Sequence, residues 1–147
     1  MIKTAAKQTI LYVHIQNEKM LKTYAPNLQK KGYHTILVDR VYDAFKIIDI
    51  TPVNIVVIDM DEDYEATFKF CHHLKSNPET KNVIIIALSG ALSRFNIQII
   101  DDTESDRSWL NVDFWKHKPI NAKEIYLMVK RELAIIEGID AIALDSE

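Results

Sequence analysis

The chain has 147 residues, of which 48% are hydrophobic, and it carries a formal net charge of -3. This length fits a single domain. The slight acidic excess, with no long run of charges of one sign, predicts no basic surface that would bind nucleic acid. The single cysteine, Cys71, excludes a disulfide within the chain, and no apolar stretch has the length of a signal peptide or membrane span. We therefore expect a soluble cytoplasmic protein.

Apolar strand-like runs alternate with segments of helical periodicity from the start of the chain. Residues 9–13 form the first predicted strand, and Asn17 can cap the helix that follows. Pro26 falls inside that helix, where its ring and missing N–H should distort a turn. Residues 34–38 form the second predicted strand, and a second amphipathic helix ends at Thr51-Pro52.

The second half of the chain continues this alternation. The third apolar run covers residues 54–58, and a polar stretch then leads into a helix that closes at Asn77-Pro78. Further runs at 83–88 and 112–117 are the fourth and fifth predicted strands, and the last helix spans roughly 122–136.

Strands and helices that alternate with short connections predict an α/β fold of the doubly wound, three-layer type. The flavodoxin-like strand order 2-1-3-4-5 is the natural arrangement for five parallel strands. We assign residues 1–147 to one domain, with a core at about 9–136 and a C-terminal tail at 137–147. About five helices should cover the sheet.

Three polar residues, Asp59, Ser89 and Lys118, each follow a separate apolar run. Ligands bind at the carboxyl ends of parallel strands, so these side chains should converge at one sheet edge. A carboxylate, a hydroxyl and an ammonium together would form a small site able to hold or form a phosphoryl group. His14 and Ile15, which follow the first strand, should lie in the same cleft.

The sequence around these residues resembles that of response-regulator (CheY-like) receiver domains. The likeness covers about residues 9–133 and rests on four segments, which are Val56-Val57-Ile58-Asp59, Ile86-Ala87-Leu88-Ser89-Gly90-Ala91, Trp115-Lys116-His117-Lys118-Pro119 and residues 71–81. The resemblance implies that Asp59 is the phosphoacceptor, Ser89 the switch hydroxyl and Lys118 the phosphate-binding lysine. It further implies that Trp115 is the switch aromatic and that the Lys118-Pro119 peptide bond is cis.

The chain departs from the receiver pattern after its first strand. Receivers carry two consecutive acids there, which hold magnesium, whereas this chain has His14 and Ile15. Magnesium prefers carboxylate and water oxygens, so only Asp59 and Asp61 remain as candidate ligands, and they are weak ones. No cofactor is therefore expected, magnesium binding is doubtful, and the usual route of Asp59 phosphorylation is in question.

A second departure lies between the fourth and fifth strands. The stretch from Ser89 to Lys118 is several residues longer than the family pattern, and the acidic segment 101–106 is the expected insertion. Trp109 and Leu110 follow it, so the segment 101–110 should alter the surface offered to partners.

Three functions stay open at this point. The first is a receiver of a two-component phosphorelay that is phosphorylated on Asp59 by a histidine kinase. The second, which we favour, is an atypical receiver or pseudo-receiver that acts as a protein-interaction module and is not an enzyme. The third is a phosphohydrolase of the haloacid-dehalogenase kind, because Asp59 and Asp61 resemble its paired aspartates. The expected partner is a histidine kinase, a relay or an output protein, and a homodimer through the last helix is an open alternative.

Overall fold

The structure is a computed structural model that describes residues 8–90 and 111–138. Five parallel strands form one sheet of order β2-β1-β3-β4-β5, which confirms the predicted topology. The strands are β1 (Thr9–Val13), β2 (His34–Val38), β3 (Ile55–Asp59), β4 (Ile84–Ser89) and β5 (Phe114–His117). The fifth strand is shorter than the apolar run that predicted it, because it begins at Phe114.

Four α-helices flank the sheet in the described part of the chain. They are α1 (Ala25–Lys30), α2 (Val41–Ile50), α3 (Tyr64–Ser76) and α4 (Ala122–Glu137). The predicted fifth helix, the segment 101–110 with Trp109, and the tail beyond residue 138 are predictions that lie outside the described residues.

The helix after β1 is distorted around Pro26, as the sequence predicts. A π-helical turn, Met20–Tyr24, precedes α1, and Pro26 lies in the first turn of α1. Proline is tolerated there because first-turn N–H groups have no partner within the helix. Asn17 acts at the start of the turn, where its side-chain oxygen accepts a hydrogen bond from the Met20 N–H at 3.1 Å.

Alternate residues of the central strands face two separate apolar clusters, so the molecule has three layers. On one side Leu11, Val56, Ile58 and Ile85 pack with α2 and α3 through Ala44, Phe70 and Leu74. On the other side Ile10, Tyr12, Val57 and Ile86 pack with α1 and α4 through Leu28, Ile125 and Val129. The central strands, buried on both faces, fix the position of their carboxyl ends.

None of the helices in residues 8–90 and 111–138 combines the length and the apolar character that crossing a bilayer requires.

Candidate functional site

Asp59 and Lys118 form an ion pair at the carboxyl edge of the sheet. Asp59 is the last residue of β3 and Lys118 directly follows β5. The Lys118 Nζ donates to Asp59 Oδ2 at 2.7 Å, and these side chains are 33% and 16% exposed. The Lys118 backbone N–H donates to the Ser89 carbonyl at 3.1 Å, which extends the β4–β5 pairing up to the site. The structure therefore brings together Asp59, Ser89 and Lys118.

Asp61 lies at the centre of the site and accepts hydrogen bonds on both carboxylate oxygens. Its Oδ1 accepts from Ser89 Oγ at 2.7 Å and from the Tyr64 hydroxyl at 2.5 Å. Its Oδ2 lies 2.9 Å from Lys118 Nζ and accepts from the Gly90 N–H at 3.0 Å. The sequence suggested this side chain as a metal ligand, but its oxygens are bound by donors of the protein itself.

The pKa values of Asp61 and Lys118 follow from these contacts. Burial alone would raise the pKa of Asp61, but the hydrogen bonds from Tyr64, Gly90, Lys118 and Ser89 together hold that pKa well below its usual value. Burial would lower the pKa of Lys118, but its bonds to Asp59 and Asp61 outweigh this effect and raise it. The Asp61 carboxylate is therefore ionised at neutral pH, and Lys118 is protonated there.

The charges of these three side chains do not cancel. Two carboxylates, Asp59 and Asp61, share the single ammonium of Lys118, so this group of three carries a net charge of -1. The Ser89 side chain is completely buried beneath it. Electrostatic interactions are stronger at such a partly enclosed edge than in water, so this surplus negative charge opposes the approach of another anion.

His14 and Ile15 directly follow β1 and lie at the same carboxyl edge of the sheet as Asp59. His14 has a left-handed backbone with φ 61°, and its N–H donates to the Val38 carbonyl at 3.1 Å. Its ring Nδ1 lies 3.3 Å from the Asp59 carbonyl oxygen. Ile15 is only 9% exposed and packs in the apolar cluster between the sheet and α4. Neither side chain offers an oxygen to a cation.

The cleft beside Asp59 does not fit magnesium. It measures about 240 Å³, and besides Asp59, Lys118, Gln16 and Asn17 its walls are apolar side chains, namely Ile15, Leu88, Pro119, Ile120 and Ile125. Magnesium takes six oxygens in octahedral geometry, and proteins hold it through carboxylates and water. Among the residues that the structure describes, Asp59 is the one carboxylate in the lining of this cleft, and it is already paired with Lys118. Within residues 8–90 and 111–138, no three His, Cys, Asp or Glu side chains gather in a way that could hold a metal ion.

Trp115 is on the opposite face of the sheet from this cleft. It pairs with Ala87 in the β4–β5 register and packs in the cluster under α2 and α3 with 5% exposure. Its ring centroid lies 4.2 Å from that of His117. The Lys118-Pro119 peptide bond, just after β5, is cis, which is the conformation that the resemblance implies.

Two groups of the site were missed by reasoning from the sequence. Tyr64 is not among the predicted site residues, but its hydroxyl contacts Asp61 and lies 2.8 Å from Ser89 Oγ. The Gly90 amide was not considered at all. Tyr64 is three residues after Asp61 at the start of α3, and this spacing was the available signal.

The comparison with solved structures identifies the architecture. A receiver domain of a DNA-binding response regulator from Colwellia psychrerythraea has 24% sequence identity to this chain and a TM-score of 0.65, over 86% of this chain and 98% of its own. The fold is that of response-regulator receiver domains. The chemotaxis response regulator CheY4 of Vibrio cholerae gives 15% identity and a TM-score of 0.61, with 86% and 98% coverage.

A third similar structure is the receiver domain of an HD domain-containing protein from Pseudomonas fluorescens. It has 14% identity and a TM-score of 0.65, and the alignment covers 94% of this chain and 95% of that one. No family model matches the sequence, and no curated protein matches it either. At these identities the likeness establishes the shared fold, and the function must be argued from the site.

Proposed function

We propose that this chain is an atypical receiver module of two-component signal transduction that works through protein contacts, with weak or no magnesium-dependent phosphorylation of Asp59. The observation that carries the proposal is that the site has an acid, a hydroxyl and a lysine but an apolar side chain where a metal-binding carboxylate would be needed. Asp59, Ser89 and Lys118 meet at one sheet edge, but Ile15 is buried in the core where a carboxylate would be needed.

The charge balance supports this proposal. For Asp59 to become phosphorylated, its carboxylate must attack a phosphorus atom surrounded by negative oxygens, and catalysis depends on alignment and neutralisation by cations. Among the described residues, Lys118 is the cationic side chain that contacts Asp59, and it also contacts Asp61. An incoming phosphoryl group would therefore meet a net negative site, which raises the barrier to transfer.

The described surface supports a role in protein contacts. Large apolar side chains of α4 are exposed, with Leu127 at 41% and Ile135 at 59%, and Phe114 of the edge strand β5 is 37% exposed. Exposed apolar groups of this kind are common at sites of protein association. In this proposal the partner is a histidine kinase, a relay or an output protein in the cytoplasm, and the chain is not an enzyme.

The phosphohydrolase alternative is disfavoured by the state of Asp61. In that mechanism the second aspartate acts as a general acid and must carry a proton near neutral pH. Here Tyr64, Gly90, Lys118 and Ser89 all donate toward Asp61 and lower its pKa, so it has no proton to give.

Phosphorylation is tested directly by intact-mass measurement. The wild-type chain and Asp59→Asn are incubated with acetyl phosphate, with and without magnesium. We expect no adduct on either protein under conditions that label an ordinary receiver. A phosphoryl adduct that forms on the wild type and disappears in Asp59→Asn would instead establish a functional phosphoacceptor.

A magnesium titration provides a second measurement. The chain has two tryptophans, so Trp109→Phe leaves Trp115, which lies on β5 across the sheet from the cleft, as the only tryptophan. We expect no saturable change in its emission at millimolar magnesium. A saturable quench that disappears in Asp59→Asn would contradict the proposal, because it would show that a cation binds beside Asp59.

A further inference from the structure

The donors around Asp61 form a cradle for an oxyanion. We define this cradle as Ser89 Oγ, the Gly90 N–H, the Tyr64 hydroxyl and Lys118 Nζ, which lie 2.5 to 3.0 Å from the Asp61 oxygens. Each carboxylate oxygen receives two of them. Charge-assisted hydrogen bonds of this kind are the strong ones, and the same set of donors suits the oxygens of a carboxylate or a phosphate.

The loop that carries Asp61 is held on both sides. The Met60 N–H donates to the Leu88 carbonyl at 2.9 Å, and the Asp61 N–H donates to Asp59 Oδ1 at 2.9 Å. On the other side Asp63 caps α3 by accepting from the Ala66 N–H at 3.0 Å. These contacts fix the loop from β3 to α3, so the carboxylate is presented to the cradle without a large loss of chain entropy.

A tethered anion in this position has an advantage over a free one. Binding within one chain is governed by an effective concentration that is set by the tether, and a well-oriented group gains far more than a flexible one. A free phosphate must lose its translational freedom, and it must also displace a carboxylate whose charge repels it.

We propose that Asp61 is a built-in competitive occupant of this cradle, which keeps free oxyanions out and holds the site in one anion-bound arrangement. This inference deepens the proposed function and rests on it, since it names the group that closes the site. It predicts a hidden phosphate site that opens when the Asp61 carboxylate is removed.

The test is a titration with inorganic phosphate in magnesium-free buffer at constant ionic strength. Asp61→Ala is compared with the wild type and with Glu62→Ala, an exposed neighbour whose loss changes the net charge equally. Binding is followed by the Gly90 amide resonance, because this N–H donates directly to the occupant. We expect saturable binding by Asp61→Ala that is at least about tenfold tighter than by the other two proteins.

The double variant Asp61→Ala with Lys118→Ala locates the bound phosphate. Loss of binding in this protein places the anion on Lys118, as proposed, whereas unchanged binding would place it elsewhere and overturn the inference. Wild-type protein that binds phosphate as tightly as Asp61→Ala would overturn it too, because the cradle would then be open already.

Circular dichroism establishes that each variant is folded. If Asp61→Ala is unfolded, Asp61→Asn is decisive, because the amide keeps the shape of the side chain and removes its charge. We expect this variant to bind phosphate severalfold more tightly than the wild type, and a folded variant without that gain would overturn the inference. None of these results depends on an Asp59 adduct, so failure here and failure of the proposed function are distinguishable.

Discussion

Two lysines bind aspartates at opposite edges of the same sheet, and their surroundings differ. At the amino edge Lys75 Nζ donates to the Val83 carbonyl at 2.7 Å and to Asp113 Oδ2 at 2.7 Å. The same Asp113 oxygen accepts from the Ile85 N–H at 2.7 Å, so this pair joins α3 to β4 and the start of β5. At the carboxyl edge Lys118 faces two carboxylates, Asp59 and Asp61.

The difference teaches how structural and functional ion pairs can be told apart. The Lys75–Asp113 pair is one cation against one anion, and its remaining hydrogen bonds go to backbone groups that it holds in place. The Lys118 group carries a surplus negative charge that stability does not require. Uncompensated charge in a partly buried place usually marks a site rather than a scaffold.

The largest expected effect comes from removing Lys118. In Lys118→Met, Asp59 and Asp61 face each other with no cation between them, and we expect a loss of about 2–3 kcal/mol in the free energy of unfolding, less than for a fully buried pair. Asp59→Asn in the same protein should restore part of this loss, because one of the two charges is removed. Urea denaturation of the four proteins in the cycle measures this coupling. Additive effects would show that the two carboxylates do not share Lys118.

A smaller effect separates the two edges. Asp113→Asn removes the charge that Lys75 contacts, and we expect a loss of about 1–2 kcal/mol. Asp59→Asn should change stability by less than about 0.5 kcal/mol, because Asp61 still holds Lys118. Both values come from urea denaturation at neutral pH. Equal losses in the two variants would remove the distinction between a scaffold pair and a surplus carboxylate.

The smallest effect is a difference in acid sensitivity. The pKa of Asp61 is lowered in the folded protein from its usual 3.8, so the unfolded chain binds the proton more readily. Its contribution to stability is complete above that value and is lost as the pH falls below it. Asp61→Asn lacks this contribution, so between about pH 4 and pH 2 its stability should fall less steeply than that of the wild type. Urea midpoints across this range measure the two slopes, and parallel slopes would contradict the assignment.

The sequence was sufficient for the sheet because the strands are buried on both faces. Continuous apolar runs such as 55–58 and 84–88 have no other stable arrangement in a chain that alternates with helices. Strand ends were placed well enough to bring Asp59, Ser89 and Lys118 together. Pro26 was equally informative, since a ring in the helix interior has only a few structural solutions.

The direction of the Asp61 side chain could not be predicted from the sequence. Asp61 lies in a turn where no periodicity applies, and its orientation is decided by donors from Gly90 and Lys118 that are distant along the chain. Local rules describe turns and caps, but they contain no information about such partners. The contact of the Tyr64 hydroxyl with Ser89 was missed for the same reason, because Ser89 comes close to Tyr64 only when β3 and β4 are side by side.

His14 and Ile15 are unequal starting points for engineering a metal site into this protein. The left-handed backbone at position 14 suits aspartate, so His14→Asp would place a carboxylate near Asp59 at little conformational cost. At position 15 the same substitution would force a charge into the apolar layer beneath α4, where Ile15 now packs. A designer who wants a divalent cation here must therefore redesign the neighbouring core together with the ligand.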